Sequence, residues 1–259
     1  MLSRFMRSRN FLSKLMAEGF RSLVRRHENR NHNFKTNGEE VVIKKLSKFN
    51  FNTVFDVGGN VGDYSVMLRK YFPNAAIHTF EIFENNLETI QEKNSGDDNI
   101  TINPFGLSNE NGTIKVKYYG KGSGVNSIHD YPHKGESTWE ECNIIKGDDY
   151  VKEKAINTID FLKIDTEGSE NLVLEGFIDI LKNGGVKVIQ FEYGYVNIIS
   201  KFLLYDFYNF FNELGYVVGK VYPKKVEFKE YSLKDENFFG PNYIAVKKSE
   251  IDIIESLSK

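Results

Sequence analysis

Apolar and polar positions along this chain switch repeatedly between two periods. Short apolar runs at 53–57, 75–81, 100–103, 159–164, 186–191, 216–222 and 242–247 predict buried strands. Helical spacing recurs between them: Val61, Tyr64, Ser65 and Leu68 after the first run, Glu84 to Lys93 after the second. It returns with Leu172, Val173, Gly176, Ile180 and Leu181, which Asn183-Gly184-Gly185 stops. Residues 39–48 and 201–214 predict two more helices. Strands alternating with helices imply an α/β fold, a mostly parallel sheet with helices on both faces.

The first run is the centre of the pattern. Thr53 to Val57 stops at Gly58, Gly59 and Gly62, and a helix then begins. Such a strand–turn–helix gathers backbone N–H groups and a helix N-terminus at one point, suited to an anionic or nucleoside-bearing ligand. A dinucleotide loop wants G-x-G-x-x-G, but Asn60 stands where the second glycine belongs. That disfavours an oxidoreductase. Asp56, just before the turn, fits an S-adenosylmethionine loop better. Glu81, nineteen residues beyond Gly62, sits at the tip of the second strand, where a carboxylate can accept ribose hydroxyls. Phe105 and Leu107 are candidates to sandwich an adenine or simply to pack the core. Asp165 and Glu192 also end strands, so both should border the pocket at the open end of the sheet.

Composition then sets the boundaries. The chain is 40% hydrophobic with 21 Phe and 14 Tyr, and its net charge is −2, so no global field favours nucleic acid. Its one cysteine, Cys142, cannot form an internal disulfide. No apolar run approaches the roughly 20 residues of a membrane span, and a cytoplasmic protein is expected. Residues 1–38 stand apart as a basic amphipathic helix and linker. Arg4, Arg7, Arg9, Lys14, Arg21, Arg25, Arg26 and Arg30 face only Glu18 and Glu28, with Leu12, Leu15, Met16, Phe20, Leu23 and Val24 at helical spacing. The helix is expected to dock on the domain or on a partner subunit, which makes a homodimer possible; peripheral contact with the inner membrane surface is the alternative. Residues 39–248 form the main domain and 249–259 an amphipathic tail. Within the domain, Asn111-Gly112 suggests a hairpin. Residues 120–149 lose all period, as a lid or substrate-binding insertion does; His129 and His133 lie there as candidate bases or substrate contacts.

Taken in order, the motifs resemble the FkbM-type family of S-adenosylmethionine-dependent methyltransferases. The carrying pieces are Phe55 to Ser65, Phe80-Glu81, Gly106-Leu107-Ser108 with Gly112, Asn126-Ser127, Lys163 to Glu170 and Phe191-Glu192. Three positions depart: Gly59 replaces the usual Ala, Ile82 replaces a Pro, and Gly147 replaces a Leu before Asp148-Asp149. The resemblance implies a Rossmann-like class I methyltransferase fold with an antiparallel last strand, and O-methylation of a sugar, glycan, glycolipid or natural product. It places the cofactor against Asp56, Gly58, Gly59, Asn60, Gly62, Tyr64, Ser65, Glu81, Ile82 and Leu107.

The acceptor hydroxyl must lose a proton during transfer, which calls for a base or a metal. Asp165 is the expected base or hydroxyl-orienting group, with Glu192 and His129 as helpers. Asp165, Glu167 and Glu192 would alternatively hold Mg²⁺, and Glu167 and Glu170 would alternatively cap the next helix. A non-catalytic cofactor-binding or partner-binding scaffold and a nucleic-acid methyltransferase are the rival functions.

Overall fold

The computed structural model describes Phe5, residues 7–130 and residues 132–259. Arg4 of the basic run and Tyr131 of the 120–149 segment therefore lie outside the described residues. The first helix described over its full length is α1 (Phe11–His27), its N-terminus capped by Asn10, whose Oδ1 accepts the Ser13 N–H at 2.8 Å. Residues 28–38 are irregular, and α2 (Glu39–Leu46) opens the domain. The alternation then runs β1 (Thr53–Val57), α3 (Asp63–Tyr71), β2 (Ala76–Phe80), α4 (Glu84–Lys93) and β3 (Ile100–Asn103). An excursion follows, of β4 (Gly106–Ser108), β5 (Gly112–Tyr118) and β6 (Thr138–Lys146). After α5 (Gly147–Glu153) the main sheet resumes with β7 (Ile159–Ile164), α6 (Glu170–Gly176), α7 (Ile178–Lys182) and β8 (Val186–Glu192). The chain closes with α8 (Asn197–Ser200), α9 (Leu204–Glu213), β9 (Tyr216–Val221), β10 (Val226–Phe228), β11 (Asn242–Lys247) and α10 (Ile251–Ser258).

The main sheet is ordered β10-β9-β11-β8-β7-β1-β2-β3. β8, β7, β1, β2 and β3 pair in parallel, whereas β11 inserts antiparallel between β8 and β9. The order reverses at β1, because β2 and β3 build out on one side and β7 and β8 on the other. Ligand crevices open at the carboxyl ends of strands at such a switch point. One core, with Phe55, Leu162, Phe177, Phe191 and Phe207, packs one face of the sheet. A second, with Leu46, Val54, Leu68, Ile77 and Leu257, packs the other.

Four expectations change. Asn111-Gly112 does not fold β4 and β5 onto each other as a hairpin: β6 lies between them, parallel to β4 and antiparallel to β5. The irregular stretch therefore ends before Thr138, and 138–149 belongs to β6 and α5. The helix expected from Leu172 to Leu181 is two pieces, α6 and α7, separated at Phe177, whose ring lies within 2.7 Å of where a Gly147 Cβ would stand. Finally, α1 does not dock its apolar stripe on the domain; it buries only Ser13.

Candidate active site

Strand register sets a row of polar side chains under the crevice. Thr79 on β2, Asp56 on β1, Lys163 on β7 and Gln190 on β8 are consecutive partners across the sheet. All four are buried, as is Ser65 of α3 above them. Ser65 Oγ donates to Asp56 Oδ2 at 2.6 Å and lies 2.8 Å from Thr79 Oγ1. Lys163 Nζ is 3.6 Å from Asp56 Oδ1 and 3.0 Å from Asp165 Oδ2, and it sits over the Tyr64 ring at 4.6 Å. Burial works against this ammonium, but Asp165, Asp56 and Glu39 more than offset it and raise its pKa. Tyr64 donates to Gln190 Oε1 at 2.9 Å, and Gln190 Nε2 donates to Glu39 Oε2 at 2.6 Å and Asn242 Oδ1 at 3.0 Å. Burial raises the Glu39 carboxyl. Asp56, Tyr64 and Ser65 thus support the site from beneath and do not line it, contrary to the cofactor-contact expectation. Strand register turns Asp56 inward, and Tyr64 and Ser65 lie on the face of α3 that packs on the sheet.

Above the row, the glycine turn is spent internally. Gly58 N–H and Gly59 N–H both donate to Phe80 O, at 3.0 and 2.9 Å, and Gly62 N–H donates to Gly59 O at 2.8 Å. The Asn60 N–H donates to Glu81 Oε2 at 2.8 Å, while Ile82 and Phe83 N–H groups donate to Oε1, each at 2.9 Å. Four amides of the turn, those of Gly58, Gly59, Asn60 and Gly62, are therefore already used within the protein. What it supplies is space: at Gly58 (φ +84°) a Cβ would lie 1.9 Å from Asp165 O. Gly59 and Gly62 face Thr79 and Ile90, away from the crevice.

A first cavity opens beside Gly58 and Asn60, bounded by Glu81, Ile82 and Leu107. Five of the ten expected cofactor residues line it, and Asp56, Gly59, Gly62, Tyr64 and Ser65 do not. Phe105 is not in its wall; its ring packs on Phe80 and Tyr150 at 6.0 Å, which removes it from the adenine sandwich. The Glu81 carboxyl, raised by burial, takes hydrogen bonds from the backbone N–H groups of Phe83, Asn60 and Ile82 and from the Asn86 side chain. The wall is mostly apolar, with Phe80, Ile82, Leu107 and Val116 among its side chains, and it carries the carboxyl groups of Glu81, Asp165 and Glu167.

A second cavity adjoins the first, and Gly124, Ser127, Asp165 and Glu167 belong to both walls. Glu192, Tyr193, Tyr195 and Phe238 line its far side, and Arg30 and His32 its rim. The Phe238 ring stacks on Tyr193 at 5.3 Å and on Tyr195 at 6.4 Å. Arg30 covers the Tyr195 ring at 4.7 Å. Burial, then the Arg30 charge, lowers the His32 pKa.

Asp165, Glu167 and Glu192 come together at the junction, with one carboxylate oxygen of each within 4.8 Å of the others. Such a set could hold a hard cation. Burial, then the Asp165 charge, raises Glu167 to about 9 and raises Glu192 strongly. Glu167 thus joins the cluster instead of capping α6. Glu170 makes the loop contacts, accepting Thr166 N–H at 2.9 Å and Gly168 N–H at 3.0 Å. His129 is not a helper in the cavity: its Nε2 meets Gly168 O at 3.0 Å, and it belongs to neither wall. Its ring fills the space a Cβ on Gly168 would take. His133 does reach the second cavity. Ser127 Oγ donates to Glu167 O at 2.6 Å and so ties the insertion to the acid loop.

A reversed parallel sheet whose last strand, β11, inserts antiparallel, with a glycine turn after the central strand and an acid at the second strand's tip, is the Rossmann-like methyltransferase fold. The sequence profile of the methyltransferase FkbM domain matches residues 56–218, more than half of the chain. This protein belongs to the FkbM methyltransferase family. Among solved structures it is similar to methyltransferase FkbM from Methylobacillus flagellatus KT, with 17% identity, 76% of this chain covered and a TM-score of 0.48. It spans 43% of that chain, less than half its length. It is also similar to precorrin-6y C5,15-methyltransferase from Geobacter metallireducens GS-15, at 15% identity over 80% of this chain and 86% of that one, TM-score 0.44. A third is the SAM-dependent methyltransferase from Agrobacterium tumefaciens, at 11% identity over 81% and 60%, TM-score 0.44. Comparison with curated proteins gave no match.

Sequence reasoning missed Lys163, Gln190, Arg30, His32 and the Tyr193–Phe238–Tyr195 stack as site components. Lys163 lay inside a quoted motif, and a lysine in an otherwise apolar strand was its available signal.

Proposed function

We propose that this protein methylates a hydroxyl of a sugar, glycan, glycolipid or other hydroxyl-rich acceptor, using S-adenosylmethionine bound in the first cavity. The observation that carries the reading is the junction: a mostly apolar slot opens, at Asp165 and Glu167, into a second cavity walled by acids and aromatic rings. Stacked aromatic faces suit the C–H faces of a sugar ring, and carboxyl groups suit its hydroxyls.

S-adenosylmethionine supplies an already activated methyl group, so the protein's task is positioning and proton removal. Asp165, the carboxylate beside the Lys163 ammonium, accepts the hydroxyl proton. Glu167 and Glu192, both pushed toward the protonated form by burial and then by the Asp165 charge, donate hydrogen bonds to acceptor oxygens and hold them in line. Lys163 fixes the Asp165 carboxylate from below. Glu81 accepts a ribose hydroxyl. The chain's net charge of −2 gives no global attraction for a polyanionic acceptor such as RNA.

Asp165→Asn tests the assignment. The variant should still bind S-adenosylmethionine in calorimetry, while transfer to a hydroxylated acceptor at saturating cofactor falls by about 10²–10⁴-fold. Full turnover in the variant would remove Asp165 as base; absence of S-adenosylmethionine binding to the wild type would overturn the whole reading.

A further inference from the structure

The basic N-terminal helix leaves its apolar residues in solvent. Phe11 is 83% exposed, Leu12 55%, Leu15 58%, Phe20 53% and Leu23 61%. Leu12, Leu15 and Leu23 lie on one side of the helix, at positions i, i+3 and i+11. A helix that buries only Ser13 on its own domain meets another surface with that side. Its charge identifies the surface. Lys14, Arg21, Arg25 and Arg26 lie along the same helix, Arg7 and Arg9 precede it, and Glu18 is its one acid, held by Arg21 at 2.6 Å. Two such helices, each strongly cationic, repel one another. Exposed leucines interleaved with arginines match the boundary between acyl chains and anionic headgroups.

The helix is also held in place relative to the site. Just after its last residue, Glu28 accepts Lys220 Nζ at 2.6 Å. Asn29 Nδ2 donates to Val221 O at 2.9 Å and to Asn37 O at 2.7 Å. Arg30 and His32, the next residues, form the rim of the second cavity. A surface bound by α1 therefore lies near the mouth through which an acceptor enters.

We infer that α1 docks this protein on an anionic lipid bilayer, holding the mouth of the second cavity close to the headgroup layer. This geometry suits an acceptor hydroxyl carried on a lipid, a point that rests on the function proposed above; the docking does not rest on it.

Co-sedimentation of the full chain with phosphatidylcholine vesicles, with and without phosphatidylglycerol, tests the docking without requiring turnover. Binding should appear with phosphatidylglycerol, weaken as salt rises, and fall at least about tenfold in both Leu12→Asp/Leu15→Asp/Leu23→Asp and Lys14→Glu/Arg26→Glu. All these side chains are exposed, and circular dichroism and S-adenosylmethionine binding of the variants should match wild type. Light scattering of the unliganded chain supplies the second readout. Failure to sediment with phosphatidylglycerol, equal sedimentation without it, or a dimer that the leucine variant dissociates would each overturn the proposal. The last result would assign the surface to a second copy of the chain.

Discussion

Lys163 shows how one side chain orders the site's chemistry. It is 4% exposed, and its two nearest carboxylates are those of Asp56, which lies under the turn, and Asp165, which faces the cavities. Burial, and then the Asp165 charge, raises the pKa of both Glu167 and Glu192. For Glu167 the sign is definite. Its pKa rises from the usual carboxylate value to about 9 on folding, so the unfolded chain gives up this proton first. Stability is therefore undiminished below the unfolded value, near pH 4.5, and is progressively lost as pH rises from there toward about 9. Glu167→Gln, which cannot ionise, should melt above wild type at pH 8 and together with it at pH 4. Each 1 kcal/mol recovered corresponds to about 2–4 °C in a domain of this size. A thermal scan with no pH dependence in the difference would contradict the protonated state. The same protonation means that no cation is needed to hold the three carboxyl groups together. EDTA should leave methyl transfer unchanged; a loss that Mg²⁺ restores would assign Asp165, Glu167 and Glu192 to a metal.

At the scale of elements, the site is a product of strand register, and register sets what the sequence reveals. The acids at strand tips were legible, because Glu81, Asp165 and Glu192 each end an apolar run at the carboxyl edge where ligands gather. The direction of side chains one residue earlier was not. Asp56 and Tyr64 read as cofactor contacts, yet Asp56 pairs with Lys163 across the sheet and Tyr64, on α3, donates to Gln190, so both belong to the support layer. The excursion was hidden for another reason. β6 buries Cys142 and Ile144 on one side and exposes Trp139, Glu141 and Asn143, so an acid-rich strand carries little apolar signal. α2 and β8 are joined by a contact that no local pattern reveals, the Gln190 side chain between Tyr64, Glu39 and Asn242. Gln190→Leu should leave buried partners unsatisfied and lower stability by roughly 1–3 kcal/mol in urea unfolding. An unchanged midpoint would mean that the row contributes nothing to holding α2 on the sheet.

Across the whole molecule, charge and packing divide the chain into two unequal parts. The N-terminal residues hold a concentrated positive charge, so the remainder is more acidic than the net −2 of the chain. An anionic surface attracts the first part and repels the second, which gives docking a direction as well as an affinity. Packing divides the molecule in the same place, since the apolar cores draw on residues from Phe34 onward and none from α1. Among the described residues, no helix is long and apolar enough to cross a membrane, so any bilayer contact through α1 lies in the surface plane. A helix with little buried surface opens at small free-energy cost, and proteases cut such segments first. Brief trypsin treatment should therefore cut initially between Lys14 and Arg26, and the product should retain S-adenosylmethionine binding at wild-type affinity, because Glu28, Asn29 and everything that lines the cavities lies beyond the cut. Vesicles containing phosphatidylglycerol should slow that cleavage and phosphatidylcholine alone should not. First cuts within the body of the domain, mapped by mass spectrometry, would show that α1 is packed more firmly than its exposure implies.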